Sequence, residues 1–212
     1  MYTIPDYVFS TPTSIVISGT TGCGKTTLLK KLLNTPSVFK TKFKRVVYCY
    51  GIWQDAFNDM KGIEFREGLD IPTDFNGDHT ILILDDLMSE IVQSKEAEKL
   101  FTQGSHHKAI TVIFLVQNLY QQGKTAKTIM LNTHYLILMR NARDVNQIKC
   151  LGRQIGLDKT LEEAYIDSTS VPYGYLLVDL SLSGARDLRL KTNIFPGETQ
   201  VVYLAKNALS KV

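Results

Sequence analysis

The chain has 212 residues, of which 44% are hydrophobic and 21% charged, with 24 lysines and arginines against 21 aspartates and glutamates. These proportions are typical of a globular domain and argue against a disordered chain, while a net charge of +3 is too small to indicate nucleic-acid binding by itself. No apolar run approaches the roughly 18 residues of a membrane span, and the N-terminus lacks the basic and apolar regions of a signal peptide. We therefore expect an intracellular protein with no membrane partner.

Short apolar runs rich in β-branched residues alternate with helical segments along the chain. Because near-continuous runs of Val, Ile and Leu are typical of strands buried on both faces, this alternation predicts an α/β fold with a mostly parallel central sheet flanked by helices. The Gly, Pro and Asp content of residues 62–78 predicts a long surface connection, and the absence of repeats or linkers predicts one domain over residues 1–212. The predicted strands are residues 13–19, 44–50, 79–86, 110–118, 134–141, 173–181 and 200–206, and the predicted helices are residues 24–34, 89–105 and about 144–155.

A glycine-rich stretch, GTTGCGKTT, lies between the first predicted strand and the first predicted helix. It satisfies the pattern G-x-x-x-x-G-K-[ST], in which glycines let successive backbone N–H groups face phosphate oxygens at a helix N-terminus. We expect Lys25 to contact the β- and γ-phosphates as a catalytic residue, and Thr26 to ligate Mg²⁺. A glycine turn that matches by chance is the alternative. The predicted nucleotide-binding residues are Gly19, Thr20, Thr21, Gly22, Cys23, Gly24, Lys25, Thr26 and Thr27.

Two acidic residues and an amide follow later apolar strands. The run ILILDD ends in Asp85 and Asp86, and we expect this strand to lie beside the strand that precedes the glycine-rich loop. At the carboxyl end of a parallel strand Asp85 would hold Mg²⁺ through water, and Asp86 would polarise the attacking water. Gln117, which ends the next apolar strand, is the preferred sensor of the γ-phosphate. The alternatives are that Asp86 caps a helix and that Gln117 caps a turn.

Several stretches around these residues carry a more specific resemblance. They are LFTQGSHHKAITVIFLVQNLY, NTHYLILMRNARDVNQIKCLGRQIG, PYGYLLVDL and LRLKTNIFPGE, while the GTPase tetrapeptide [NT]-K-x-D is absent. Over residues 12–206 the chain resembles the genome-packaging ATPase of Polinton/Maverick elements and related double-stranded DNA viruses, in the poxvirus-type branch of the FtsK–HerA superfamily. The resemblance implies a RecA-like core that uses ATP and Mg²⁺, forms a homo-oligomeric ring and drives double-stranded DNA into a capsid. The implied partners are DNA and viral capsid proteins, in the cytoplasm or nucleus of an infected cell.

In ring ATPases of this kind an arginine from a neighbouring subunit completes the site. Arg140 and Arg143 in LMRNARD are the catalytic candidates, and Arg153 is a weaker third. Arg143 could instead pair with Asp144 or cap a helix at the surface. Relatives often have an arginine in the SHHK stretch, where this chain has Lys108, which leaves open whether that position contributes a charge.

Two basic segments could contact DNA without reading its sequence. Residues 39–45, FKTKFKR, interleave aromatic and basic side chains, and residues 121–128, QQGKTAKT, contain Lys124 and Lys127 just past the sensor strand. Both could also be ordinary solvated surface. Two other functions remain open from the sequence, a small-molecule phosphotransferase that uses the same loop and a nucleotide-dependent assembly switch with negligible turnover.

Overall fold

A nine-stranded sheet forms the centre of the fold. The computed structural model describes residues 6–75, 77–101, 109–120, 123–143, 145–182 and 186–205, and within them the strand order is β3-β2-β4-β5-β1-β6-β7-β8-β9. The strands are β1 (Ser14–Ser18), β2 (Arg45–Tyr50), β3 (Glu64–Glu67), β4 (Thr80–Asp85), β5 (Ile110–Val116), β6 (Tyr135–Met139), β7 (Tyr175–Asp179), β8 (Leu190–Thr192) and β9 (Val201–Tyr203).

Helices cover both faces of this sheet. The described α-helices are α1 (Lys25–Leu33), α2 (Met88–Ile91), α3 (Lys95–Lys99), α4 (Lys124–Leu131), α5 (Val145–Ile155) and α6 (Asp158–Ser168), and 3-10 turns cover Pro36–Val38, Asp55–Asp59 and Arg186–Leu188. None of the helices in the described ranges is long and apolar enough for a membrane crossing.

The first six strands in the order are parallel, and the last three continue the sheet in antiparallel fashion. Every residue of β1, β4, β5 and β6 is buried, because alternate side chains enter two different cores. Val16 and Phe114 pack in the core on one face, whereas Ile17 and Ile113 pack in the core on the other. The continuous apolar runs of the sequence therefore come from strands covered on both sides, and the α/β prediction is confirmed.

One expectation about strand neighbours is wrong. The strand that ends in Asp85 does not lie beside β1, because β5 pairs in parallel with β4 on one side and with β1 on the other. Strands buried on both faces have no alternation of polar and apolar residues that would distinguish one neighbour from another, so the sequence pattern does not determine their order. The prediction that the Gln117 strand lies next to the Asp85 strand is confirmed.

Residues 62–78 also differ from the prediction, since they contain β3 (Glu64–Glu67), which pairs in parallel with β2 at the sheet edge. Its sequence, EFRE, has no apolar run, and its charges form ion pairs such as Arg45 to Glu64 at 2.8 Å. Charged side chains on a short edge strand discourage pairing with other chains. The helix predicted over residues 89–105 is divided into α2 and α3, and the SHHK stretch lies outside the described residues. Helix α6 and strand β8 were not predicted.

Candidate nucleotide-binding site

The loop between β1 and α1 occupies the carboxyl edge of the parallel strands. Gly22 and Gly24 have φ angles of +79° and +104°, a region that L side chains rarely adopt, and Gly24 directly precedes the first residue of α1. The ammonium group of Lys25 donates hydrogen bonds to the carbonyl oxygens of Gly19 at 2.7 Å and Thr20 at 3.0 Å. The loop therefore curves around its own lysine at a helix N-terminus, where an anion is electrostatically favoured.

Asp85 is buried at the end of β4, with 5% of its surface exposed. Its Oδ2 atom accepts a hydrogen bond from the hydroxyl of Tyr48 at 2.7 Å and a longer one from the amide of Gln54 at 3.4 Å. Burial raises the pKa of Asp85 and the nearby Asp86 adds to the rise, while the Tyr48 hydrogen bond and the charge of Lys25 oppose it. A carboxylate whose charge is disfavoured by burial gains from a nearby cation.

The side chain of Gln54 connects the two groups expected to hold Mg²⁺. The hydroxyl of Thr26 donates to Gln54 Oε1 at 3.4 Å, and Gln54 Nε2 in turn donates to Asp85. Thr26 and Asp85 therefore face the same small volume. Proteins usually hold Mg²⁺ through one or two groups together with phosphate oxygens and waters, so these residues fit a magnesium–nucleotide complex.

The loop, the acidic pair and the expected sensor line one cavity of about 340 Å³. Asp86 has a φ angle of +56° and is not the N-cap residue of α2, which is Leu87, so the helix-cap alternative for Asp86 is wrong. The N–H groups of the turn after β5 are capped by Gln147 Oε1, which leaves Gln117 at the cavity wall. The lining residues are Thr21, Gly22, Gly24, Lys25, Thr26, Thr27, Gln54, Asp85, Asp86, Leu115, Val116, Gln117 and Tyr173.

The candidate arginines lie beyond the end of β6. Arg140 is exposed, and its carbonyl oxygen accepts a hydrogen bond from the Thr20 hydroxyl at 3.2 Å, so this residue is adjacent to the loop of its own chain. Arg143 is exposed in the following turn, where its N–H donates to Asn141 Oδ1 at 3.1 Å. Arg153 is exposed on α5. Asp144, the possible partner of Arg143, lies outside the described residues.

Three residues at the site were missed by sequence reasoning, namely Tyr48, Gln54 and Tyr173. Tyr48 and Gln54 come from β2 and the segment after it, which the parallel pairing of β2 with β4 brings to Asp85. Tyr173 comes from the turn before β7. Because β7 runs antiparallel to β6, it begins at the edge of the sheet where the parallel strands end. The stretch PYG before a strand is a turn signal that could have indicated Tyr173, whereas Gln54 had no signal of its own.

An aromatic cluster supports the segment that carries Gln54. The ring of Trp53, the single tryptophan of the chain, packs against the rings of Tyr50, Phe57 and Phe65 with centroids 5.3–5.4 Å apart. Its side chain is half exposed, so Trp53 lies between this cluster and solvent, directly before Gln54 in the chain.

The two basic segments differ in their surroundings. In residues 39–45 Phe39 is buried and Lys44 forms an ion pair with Asp78 at 2.8 Å, and the segment precedes β2 at the edge opposite the nucleotide cavity. Lys124 and Lys127 are exposed at the N-terminal end of α4, which follows β5 on the same edge as the cavity. Residues 121 and 122 lie outside the described part of the chain.

The sheet, with a phosphate-type loop at its carboxyl edge, defines the chain as a P-loop NTPase domain in fold. A sequence profile of the viral superfamily 1 RNA helicase core domain matches residues 15–104. A search of curated protein sequences gave no match.

Solved structures of other proteins share this fold over most of the chain. The genome packaging NTPase B204 from Sulfolobus turreted icosahedral virus 2, in complex with sulfate, has a TM-score of 0.54 at 13% identity, covering 90% of this chain and 95% of that chain. B204 from Sulfolobus turreted icosahedral virus, a DNA-packaging ATPase, has a TM-score of 0.51 at 13% identity, covering 90% and 96%. The cytoplasmic domain of the type VII secretion ATPase EccC from Thermomonospora curvata has a TM-score of 0.52 at 13% identity, covering 91% of this chain and 25% of that chain. At this identity the likeness establishes the fold.

Proposed function

We propose that the chain is an ATP-hydrolysing motor subunit that acts in a homo-oligomeric ring and moves double-stranded DNA into a viral capsid. The observation that carries the proposal is the single cavity in which the loop, the Asp85–Asp86 pair and Gln117 meet. Support also comes from the likeness in fold, over nearly the full length of both chains, to proteins described as genome packaging enzymes. The narrower relation to Polinton/Maverick packaging ATPases, and a place in the infected cell beside the capsid, rest on the sequence stretches that resemble that group.

Five polar residues of the cavity have assigned roles in this proposal. Lys25 leaves the loop carbonyls to contact the β- and γ-phosphates, and Thr26 and Asp85 hold Mg²⁺, which neutralises charge on the phosphate oxygens when bound. Asp86 is exposed at the cavity wall, where its carboxylate can accept a proton from the attacking water. Gln117 orients that water or senses the γ-phosphate.

An arginine from a neighbouring subunit would explain why a ring is needed. Such a residue stabilises charge that develops on the transferred phosphoryl group and is worth about 10³–10⁵ in rate. Arg140 is already adjacent to the loop of its own chain, whereas Arg143 is exposed three residues further along. We therefore favour Arg143 as the residue that acts in trans and Arg140 as one that acts in its own subunit.

Lys124 and Lys127 are the favoured DNA contacts. They are exposed on the same edge as the nucleotide cavity, and α4 connects the end of the Gln117 strand to β6. Lys124 lies only seven residues after Gln117 in the sequence, so a change at Gln117 on hydrolysis would occur close along the chain to these lysines. Phosphate contacts by lysine give binding that is independent of sequence and weakens with salt, as a translocating motor requires.

The rate of ATP hydrolysis per subunit, measured against protein concentration with and without linear double-stranded DNA at low salt, tests the proposal. We expect the rate to rise with both, and Asp86→Asn to retain ATP binding but lose turnover. A folded sample with one rate at all concentrations, unaffected by DNA, would contradict the motor function and leave a nucleotide site. Stoichiometric transfer of phosphate to a metabolite would favour a phosphotransferase instead.

Mixing experiments separate the two arginines. Arg143→Ala subunits added to intact subunits should reduce the rate more than dilution does, because each one leaves a neighbour's site incomplete. Arg140→Ala subunits should lower the rate in proportion to their fraction. The reverse result would exchange the two assignments, and proportional loss for both would contradict any trans role for these arginines.

A further inference from the structure

A second cavity of about 540 Å³ lies on the other side of the loop from the acidic pair. The loop itself forms one wall, through Thr20 to Cys23. The opposite wall follows β6 and precedes β7, and β6 pairs with β1 on the side away from β5. The residues of this second wall are Arg140, Ala142, Val171, Pro172 and Tyr173.

Tyr173 lines both cavities and packs against the loop. A Cβ atom on Gly24 would lie 2.4 Å from Tyr173 Cδ1, so the ring occupies the space that any side chain at position 24 would need. The ring is nonetheless largely solvent-accessible, with 64% of Tyr173 exposed. An aromatic ring that packs on a phosphate-type loop and is still largely exposed is suited to contact a flat ligand.

The turn that carries Tyr173 is closely constrained. Tyr173 has a φ angle of +60°, which is unfavourable for a bulky residue, and the backbone packs so closely at the next position that a Cβ on Gly174 would lie 2.2 Å from the carbonyl oxygen of Ser168. The N–H of Gly174 donates to the carbonyl oxygen of Val171 at 3.1 Å. Backbone strain of this kind is concentrated at ligand-binding and active sites.

The direction in which a bound nucleoside triphosphate lies along the loop determines which part of it would enter the second cavity. If the γ-phosphate points towards Asp86 and Gln117, the nucleoside end leaves the loop on the opposite side. We propose that the second cavity is the nucleoside subsite and that the Tyr173 ring stacks on the base of the bound nucleotide. This inference rests on the proposed nucleotide-binding function. Because every base has a π face, Tyr173 should strengthen the binding of ATP and GTP equally.

The test compares a ligand with a base to one without. Calorimetry would measure the binding of ATP, GTP and inorganic tripolyphosphate to the full chain and to Tyr173→Ala, Tyr173→Leu and Tyr173→Phe. Base stacking on an aromatic ring corresponds to about 5- to 150-fold in affinity, so the Ala and Leu variants should lose that much for both nucleotides. Their affinity for tripolyphosphate should be unchanged, and the Phe variant should bind all three ligands as the original chain does.

The outcomes separate this inference from the proposed function. Equal weakening of ATP and tripolyphosphate, or loss of ATP affinity in the Phe variant, would overturn stacking, as would an original chain that binds ATP no more tightly than tripolyphosphate. None of these outcomes contradicts the proposed phosphate-binding site. If the original chain binds neither ligand, the proposed nucleotide function fails as well. Thermal unfolding without ligand checks that the variants remain folded, as expected for a side chain this exposed.

Discussion

Replacement of Gly24 by alanine is expected to destabilise the protein more than replacement of Gly22, although both residues have positive φ angles. A Cβ on Gly22 would meet no atom within 4 Å, so Gly22→Ala adds only the penalty of the backbone conformation, about 1–2 kcal/mol. A Cβ on Gly24 would lie 2.4 Å from the Tyr173 ring. Forcing an extra carbon into such a contact costs about 1–3 kcal/mol more.

Thermal unfolding without nucleotide measures this difference. Since 1 kcal/mol corresponds to about 2–4 °C in Tm for a chain of this size, Gly22→Ala should lower Tm by about 2–8 °C and Gly24→Ala by about 4–20 °C. The same two substitutions made together with Tyr173→Ala should have nearly equal effects, because the ring is then absent. If Gly24→Ala has no larger effect than Gly22→Ala, or if its excess persists without the ring, the contact between Tyr173 and the loop is not as described.

Three further predictions concern the nucleotide cavity. Lys25→Ala should weaken ATP binding about 10- to 150-fold, since hydrogen bonds to charged groups contribute about 1.5–3 kcal/mol. An unchanged Kd in calorimetry would contradict the role of Lys25. Gln54→Ala should raise the Mg²⁺ concentration that half-saturates nucleotide binding about fivefold, because it removes two long hydrogen bonds of about 0.5 kcal/mol each. The affinity for nucleotide measured in EDTA should not change. An unaltered Mg²⁺ requirement would refute the bridging role of Gln54. Burial raises the pKa of Asp85, so the stability contributed by its protonated form is lost as the pH rises through that raised value. The Tm of Asp85→Asn, which does not titrate, should therefore increase relative to that of the original chain between pH 4 and pH 7 without ligand. A relative Tm that falls over this range would contradict the raised pKa.

The loop and the acidic pair could be predicted because the residues that define each of them are consecutive in the sequence. The residues from Gly19 to Thr27 form one continuous turn between a strand and a helix, and Asp85 and Asp86 follow an apolar run directly. Gln117 was found in the same way, from its position at a strand end. In each case local sequence determines both the element and the place of the side chain on it.

The rest of the site depends on contacts between distant parts of the chain. Gln54 reaches Asp85 across 31 residues of sequence, and it does so because β2 pairs with β4 in a particular register. Tyr173 reaches the loop only because β7 runs antiparallel to β6. Apolar runs indicate that strands exist, but neither strand order nor strand direction can be read from them when both faces are buried.

The position of β1 in the middle of the sheet has a consequence for how the protein is made. Both neighbours of β1 are synthesised much later, since Ser18 lies beside Val116 on one side and Leu138 on the other. At about 5–20 residues per second, the ribosome needs about 6–24 s to extend the chain from Ser18 to Leu138. A nascent chain therefore carries its nucleotide loop before either of the strands that flank β1 has been made. We expect a growing chain to acquire the ability to retain nucleotide only after β6 has emerged.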